Sequence, residues 1–296
     1  MFPSFQDPGI RAHSLGLVAN VMLAVLKFVV GWIAASAALT ADGFNSAGDI
    51  FATAVGVVGY TYAKKPPDED HHYGHGNAES VAGLIIGSVL AGTGVLICLE
   101  GILALIAAGN GAPDQPALWV AGFTVIVKEA LYRYASRIGR RLNSASLLAS
   151  ARDHRGDVLV GLTVFAGVLG ARLGMPMLDP IAAICVGIYI AWFAVEPIRT
   201  NVGVLMDQAP PTMRNAIRRV VVANAEVRDV DTIRVHPIGA QFMIDLEIYL
   251  DDNLSLREAH EVAHRVSDSV AAEVPNVQDV NVHVNPGHGN STQSPP

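Results

Sequence analysis

Charge is scarce in this chain. Only 16% of its 296 residues are Asp, Glu, Lys or Arg, against roughly 25% in soluble domains. Cysteine is nearly absent: Cys98 and Cys185 are the only two, each inside an apolar run. That excludes a disulfide framework and a thiolate metal centre, and both read as small hydrophobes. An excess of basic residues is missing too. The formal net charge is −7, which offers no electrostatic footprint for nucleic acid. A cleavable signal peptide is not evident, because residues 1–14 are polar and contain proline. No A-x-A-like cleavage site follows the first apolar run.

Hydrocarbon is abundant instead: 51% of the chain is hydrophobic. The charge deficit is local, which marks a membrane domain with a soluble part attached. A span needs about 20 mostly apolar residues. The runs 15–35, 37–62, 81–108, 117–135 and 180–198 qualify. A sixth, 158–173, is too short alone and becomes a span only if its helix extends back through Asp153-His154-Arg155-Gly156-Asp157. Those charges are tolerable at membrane depth only when they face a bundle interior or a water-filled cavity. The same holds for Asp42, Asn45 and Asp49 in the second run, so the two polar-bearing helices are expected to face each other. Lys27, Glu100, Lys128 and Glu129 are further intramembrane charges. Lys128 and Glu129 are expected to pair with neighbouring helices, with partners that spacing does not identify.

Arg11, Lys64, Lys65, Arg137, Arg140, Arg141 and Arg199 fall on one side of this topology. The opposite connections hold almost no base. The positive-inside rule then gives six spans with both termini cytoplasmic, in what reads as a bacterial inner membrane. The stretches from Ala41 and from Ala149 each end in Gly-Asp before an apolar run; this is either a trace of an internal repeat or chance.

The membrane domain is expected over 1–205, a cytoplasmic α+β domain over 206–287 and a disordered tail over 288–296. Phe242, Ile244, Leu246, Ile248 and Leu250 alternate with Met243, Asp245, Glu247 and Tyr249, the pattern of a half-buried strand. Val280, Val282 and Val284 alternate likewise. Ser255 and Glu258 form a capping box. The helix behind it has an apolar stripe of Leu256, Ala259, Val262, Ala263, Val266 and Val270. An earlier helix follows Pro211. The order helix–strand–strand–helix–strand predicts a small two-layer domain.

Asn45 and Asp49, and Asp153 and Asp157, are two copies of a polar-x-x-x-Asp pattern. A spacing of four puts each pair on one helix face. Together they offer four side-chain oxygens to a divalent cation. Three carboxylates in a low-dielectric bundle cannot all stay ionised without a counter-charge, so an empty site is expected to hold protons that a metal displaces. That is the core of a cation/proton antiporter. The alternative is that these residues cap, kink or bond helices together, with Gly43 and Gly48 nearby to permit irregularity.

Two further clusters stand out. Asp68, Glu69, Asp70, His71, His72 and His75 lie in a loop after the second span, either a metal site or a polar loop with helix-start residues. His260-Glu261-Val262-Ala263-His264 matches the zinc-protease motif H-E-x-x-H. Its domain is too small for a substrate cleft and a third ligand, and its histidines lie opposite the apolar stripe. Peripheral metal binding by His260 is the alternative, with Asp245 and His283 on the polar faces of their strands able to converge with it.

Six spans, the paired motifs in the second and fifth, Tyr-Gly-His-Gly-x-Ala-Glu at 73–79, Glu-Ala-Leu-Tyr-Arg-Tyr at 129–134 and Leu205-Met206-Asp207 before an α+β domain resemble the cation diffusion facilitator family over nearly the whole chain. The resemblance implies a homodimer in the lipid bilayer that exports a divalent metal from the cytoplasm in exchange for protons. It implies a ferredoxin-like, metallochaperone-like cytoplasmic domain that dimerises and binds regulatory metal. By position, Asn45, Asp49, Asp153 and Asp157 become the transport site and Asp68, His71 and His75 a loop site. Asp231, Asp245, His260 and His283 become a cytoplasmic site.

Zinc-transporting members usually carry His or Asp where this chain has Asn45, and His where it has Asp153. Asn77 stands where some members have a lysine that pairs with the acid at Asp207. Asn285 replaces a frequent carboxylate ligand, and Asp245 stands where a histidine can occur. An all-oxygen transport site favours manganese, then ferrous iron, over zinc, cobalt or cadmium. The Asn-Asp-Asp-Asp set resembles that of manganese exporters, and related sets occur in iron-handling members, including magnetosome proteins. A metal-responsive membrane scaffold is the alternative class.

Overall fold

The structure is a computed structural model that describes residues 8–107, 111–142 and 144–287; the expected tail at 288–296 lies outside the described residues. The elements are α1 (Pro8–Ile33), α2 (Ala37–Ala63), α3 (Asn77–Ile106), α4 (Gln115–Leu142), α5 (Ala145–Arg172), α6 (Leu178–Phe193) and α7 (Val195–Leu205). There follow α8 (Pro211–Val222), β1 (Asp229–Ile238), β2 (Gln241–Leu250), α9 (Leu256–Glu273) and β3 (Val277–Pro286). The chain divides into two compact units, Met1–Val55 with Ile85–Pro197 and Gly56–Leu84 with Ile198–Pro296.

The first unit is helical. By length and composition, Ser14–Ile33, Asn77–Ile106 and Leu178–Leu205 are apolar enough to cross a membrane. α2, α4 and α5 match them in length, at 27, 28 and 28 residues, but carry the polar side chains. α5 runs through 153–157 unbroken, as the short apolar run required. Its start is fixed by Ser144, whose side chain accepts from the Leu147 amide. The last apolar run is split between α6 and α7. Pro197 has no N–H for the Phe193 carbonyl and crowds it sterically, so the hydrogen-bond ladder lapses at Ala194, whose backbone nonetheless stays helical at φ −70° and ψ −19°.

Two details hold this bundle. The turn between α1 and α2 is tight, with Ala35 at φ +49°. Asp179, buried at the start of α6, closes it: it accepts from Ser36 Oγ at 2.6 Å and the Ala37 amide at 2.7 Å. A carboxylate is thereby set on the N-terminus of α2, where the free amides and the helix dipole favour it. α3 and α6 meet backbone to backbone: a Cβ at Gly94 would stand 2.7 Å from the Gly187 carbonyl oxygen. Such small-residue contacts are how helices associate in lipid. Trp32, Trp119 and Trp192 are all exposed near helix ends, the placement of an interfacial aromatic belt.

The second unit contains a three-stranded sheet in the order β1-β2-β3. β1 and β2 are antiparallel, while β2 and β3 are parallel, so α9 serves as the crossover that a parallel pair requires. Ile244, Leu246, Ile248 and Leu250 are buried on the inner face of β2, as their alternation predicted. They pack with Ile217 and Val221 of α8 and Val262, Val266 and Val270 of α9. Each such aliphatic contributes on the order of 1.5–3 kcal/mol by burial. Ser255 and Glu258 form both bonds of the capping box. Leu256 departs from the expected stripe and is exposed. It occupies the first turn, ahead of where α9 meets the sheet.

Candidate metal transport site

α1, α2, α4 and α5 each contribute a polar side chain around Asp157. Asn45 Nδ2 on α2 donates to Asp157 Oδ1 at 3.4 Å. Lys128 Nζ on α4 donates to Asp157 Oδ2 at 2.5 Å and to Asn20 Oδ1 on α1 at 2.9 Å. Lys128 is completely buried and the Asp157 side chain is 12% exposed. His154, one turn before Asp157 and also buried, brings Nδ1 to 3.9 Å from Asp157 Oδ2. Gly156 keeps α5 narrow beside α6, where a Cβ would stand 3.2 Å from the Tyr189 hydroxyl.

Asn45 and Asp157 are therefore in contact. Asp49 and Asp153 occupy the same helix faces one turn away and are exposed. Among the described residues, these three carboxylates do not draw together as tightly as a closed metal cluster; the one such cluster lies in the loop described below. Asp42 shares the α2 face and lies near enough to interact electrostatically with Asp157 and Lys128, but its direct partners are different. It forms a buried ion pair with Lys27 at 2.8 Å, and Lys27 also donates to Ser46 at 3.0 Å. Glu129 accepts from Arg133 within α4 and from Arg155 of α5, both at 2.7 Å. Lys128 and Glu129 thus each take one partner from α5, and Lys128 takes a second from α1. His154, at i−3 from Asp157 on α5, carries a spacing signal that points to it. Tyr189 and Asn20 carry none, and reach this part of the bundle only through helix packing.

The loop between α2 and α3 gathers Asp68, His71 and His75 so that one donor atom from each lies within 4.8 Å of the others. Asp68 Oδ1 accepts the His71 amide at 2.8 Å and stands 3.0 Å from His71 Nδ1. His75 is buried, and its Nε2 lies 3.3 Å from Asp68 Oδ2. The hydrogen bond with the His71 side chain holds the Asp68 carboxyl below the ordinary carboxylate range. Gly76 comes so close to the β1–β2 turn that a Cβ there would stand 2.7 Å from the Ile238 carbonyl oxygen. Asn77 accepts the Gly239 amide at 2.9 Å, so it fastens this loop to the hairpin. Asp207 pairs with His236, a partner within the same chain.

In the cytoplasmic domain, His260 and His283 line one cavity of about 370 Å³ with Asp251, Asp252 and Asn285. Asp245 lies on the exposed face of β2 and accepts from Asn281 at 3.4 Å. Asp231 sits at the irregularity in β1. Neither lines that cavity. His260 and His264 face each other with Nε2 atoms 3.1 Å apart on the exposed side of α9.

Long apolar helices with acidic side chains on α2 and α5, followed by a small α+β domain, are the architecture expected of a membrane-embedded cation transporter. The cation efflux transmembrane domain family matches residues 14–206, and the family of cation efflux protein cytoplasmic domains matches residues 209–287. The chain belongs to this cation efflux family and is an integral membrane metal efflux transporter. It is 33% identical over 280 residues to the manganese efflux system protein MneP of Bacillus subtilis, covering 92% of this chain and 94% of MneP. It is 30% identical over 269 residues to the magnetosome protein MamB of Paramagnetospirillum magneticum, covering 90% of this chain and 91% of MamB. A solved MamM CTD aligns over 26% of this chain and 96% of its own, at 21% identity and a TM-score of 0.26.

Proposed function

We propose that this protein exports manganese from the cytoplasm in exchange for protons, through Asn45, Asp49, Asp153 and Asp157. The observation that carries the reading is the donor set. Asp157 sits in the helix bundle with Asn45 against it, and the other two acids lie one helical turn away on the same faces. All four offer oxygen, which suits manganese and, next, ferrous iron. The similarity to MneP and to MneS, at 33% and 27% identity, supports manganese as first choice; the similarity to MamB keeps iron as second.

Exchange follows from charge. A divalent ion entering among three carboxylates displaces the positive charge that balances them when it is absent. The protein works as a homodimer in a bacterial inner membrane, with both termini and residues 206–287 on the cytoplasmic side. The Asp68–His71–His75 cluster and the His260–His283 cavity, with Asp231 and Asp245 as outlying acids, bind metal in a regulatory role. A proteoliposome assay with an imposed pH gradient and manganese, iron and zinc in parallel tests this reading. Manganese flux should lead and should follow the gradient. Asp153→His, which adds an imidazole, should move the order toward zinc; an unchanged order would count against ligand hardness as the selector.

A further inference from the structure

We propose that the Lys128 ammonium is a tethered counter-cation of the transport site, held on Asp157 until an incoming metal displaces it onto Asn20. This rests on the reading of Asp157 as a metal ligand.

Three features of the site point to it. First, Lys128 is fully buried, and a buried ammonium must stay paired. It has two partners on different helices, a charged one at 2.5 Å and a neutral one at 2.9 Å. Second, both oxygens of Asp157 already have a donor: Lys128 on Oδ2 and the Asn45 amide nitrogen on Oδ1. A metal needs these oxygens free and the Asn45 carbonyl oxygen turned inward. Third, Asp49 and Asp153 are exposed while Asp157 is largely enclosed, so a cation meets the open acids first and Asp157 last.

At equal distance a divalent ion attracts a carboxylate twice as strongly as an ammonium does, and it engages several acids together. It therefore takes Asp157, and Lys128 keeps Asn20 as a neutral acceptor, so the ammonium is never left without a partner. Return of Lys128 to Asp157 then helps expel the metal. Lys27 is also buried and also has one charged and one neutral partner, but both, Asp42 and Ser46, lie on α2 and outside the proposed ligand set, so no incoming metal competes for them. An occupied site lowers apparent affinity by the fraction of molecules free to bind, so a competitor present in 90–99% of molecules weakens metal binding by about 10- to 100-fold.

Equilibrium manganese binding to the purified full-length protein tests this, scored on the component that Asp49→Asn removes. Lys128→Gln should bind about 10-fold tighter or more while its maximal flux falls, because release loses its driving group. Asn20→Leu removes the alternative seat and should weaken binding; Asn20→Asp strengthens that seat and should tighten it. In the Lys128→Gln background both Asn20 effects should vanish, as coupling through one shared partner requires. Lys128→Arg, which keeps the charge, should resemble the parent. Unchanged or weaker binding in a folded Lys128→Gln protein overturns the proposal, as do Asn20 effects that persist without Lys128. If Lys128→Gln does not fold, the opposite signs of Asn20→Leu and Asn20→Asp decide. The parent reading fails separately: Asp157→Asn protein that binds manganese as the parent does would remove Asp157 from the site, whatever Lys128 does.

Discussion

Asp42 lies on the same face of α2 as Asn45 and Asp49, yet the structure gives it a different task, and this is testable. Its pair with Lys27 spans 2.8 Å, with each side chain 1% exposed. At an effective dielectric of 20 the attraction is about 6 kcal/mol, offset in part by the desolvation of both groups. Removing one partner leaves the other charged and buried, which typically costs about 3–5 kcal/mol. Lys27→Met should therefore destabilise the bundle by that amount, read as equilibrium unfolding in mixed detergent micelles. Lys27→Met with Asp42→Asn removes both charges and should recover most of the loss. The double variant should also transport metal in proteoliposomes, because neither residue contacts Asp157. A loss below about 1 kcal/mol for Lys27→Met, the level of an exposed pair, would refute the structural role. A folded but inactive double variant would place Asp42 in the cation path.

Two predictions concern the second unit. His75→Ala should lower bound metal by one equivalent on equilibrium dialysis and leave the component assigned to Asp49 intact; undiminished stoichiometry would remove the loop as a site. Hydrogen bonding to Ser255 holds the Glu258 carboxyl below the ordinary range. Its stabilising share is therefore full above the unfolded-state value, about pH 4.3, and is lost as pH falls through the lower folded value. Ser255→Ala should cost about 1 kcal/mol and flatten this acid dependence of hydrogen exchange in α9, whereas an unaltered acid limb would mean the box does not hold the helix.

Periodic features were legible from sequence because local chemistry decides them. The alternation of β2, the capping box of α9 and the backward extension of α5 through 153–157 each follow from residue spacing and a length requirement. Other features depend on which helix packs where. Nothing near Asp179 in sequence indicates that it caps α2, since its partners are residues 36–38. Lys27 and Lys128 look equivalent as charges in apolar runs, but packing gives one a structural acid and the other a proposed metal ligand. Sequence spacing offers only protons as the counter-charge among these acids; the Lys128 ammonium on Asp157 becomes visible only once α4 packs against α5. Leu256 had the right spacing for the core stripe and missed it because α9 meets the sheet only from its second turn.

The central claim is that one metal ion crosses by way of Asp49 and Asp157 in exchange for protons. The most direct measurement records manganese entry and lumenal pH together in inside-out proteoliposomes, for the parent, Asp49→Asn and Asp157→Asn. The account predicts manganese entry coupled to proton exit in the parent, with both signals lost together in each folded variant. Manganese entry that proceeds without proton movement, or that survives both substitutions, would contradict it.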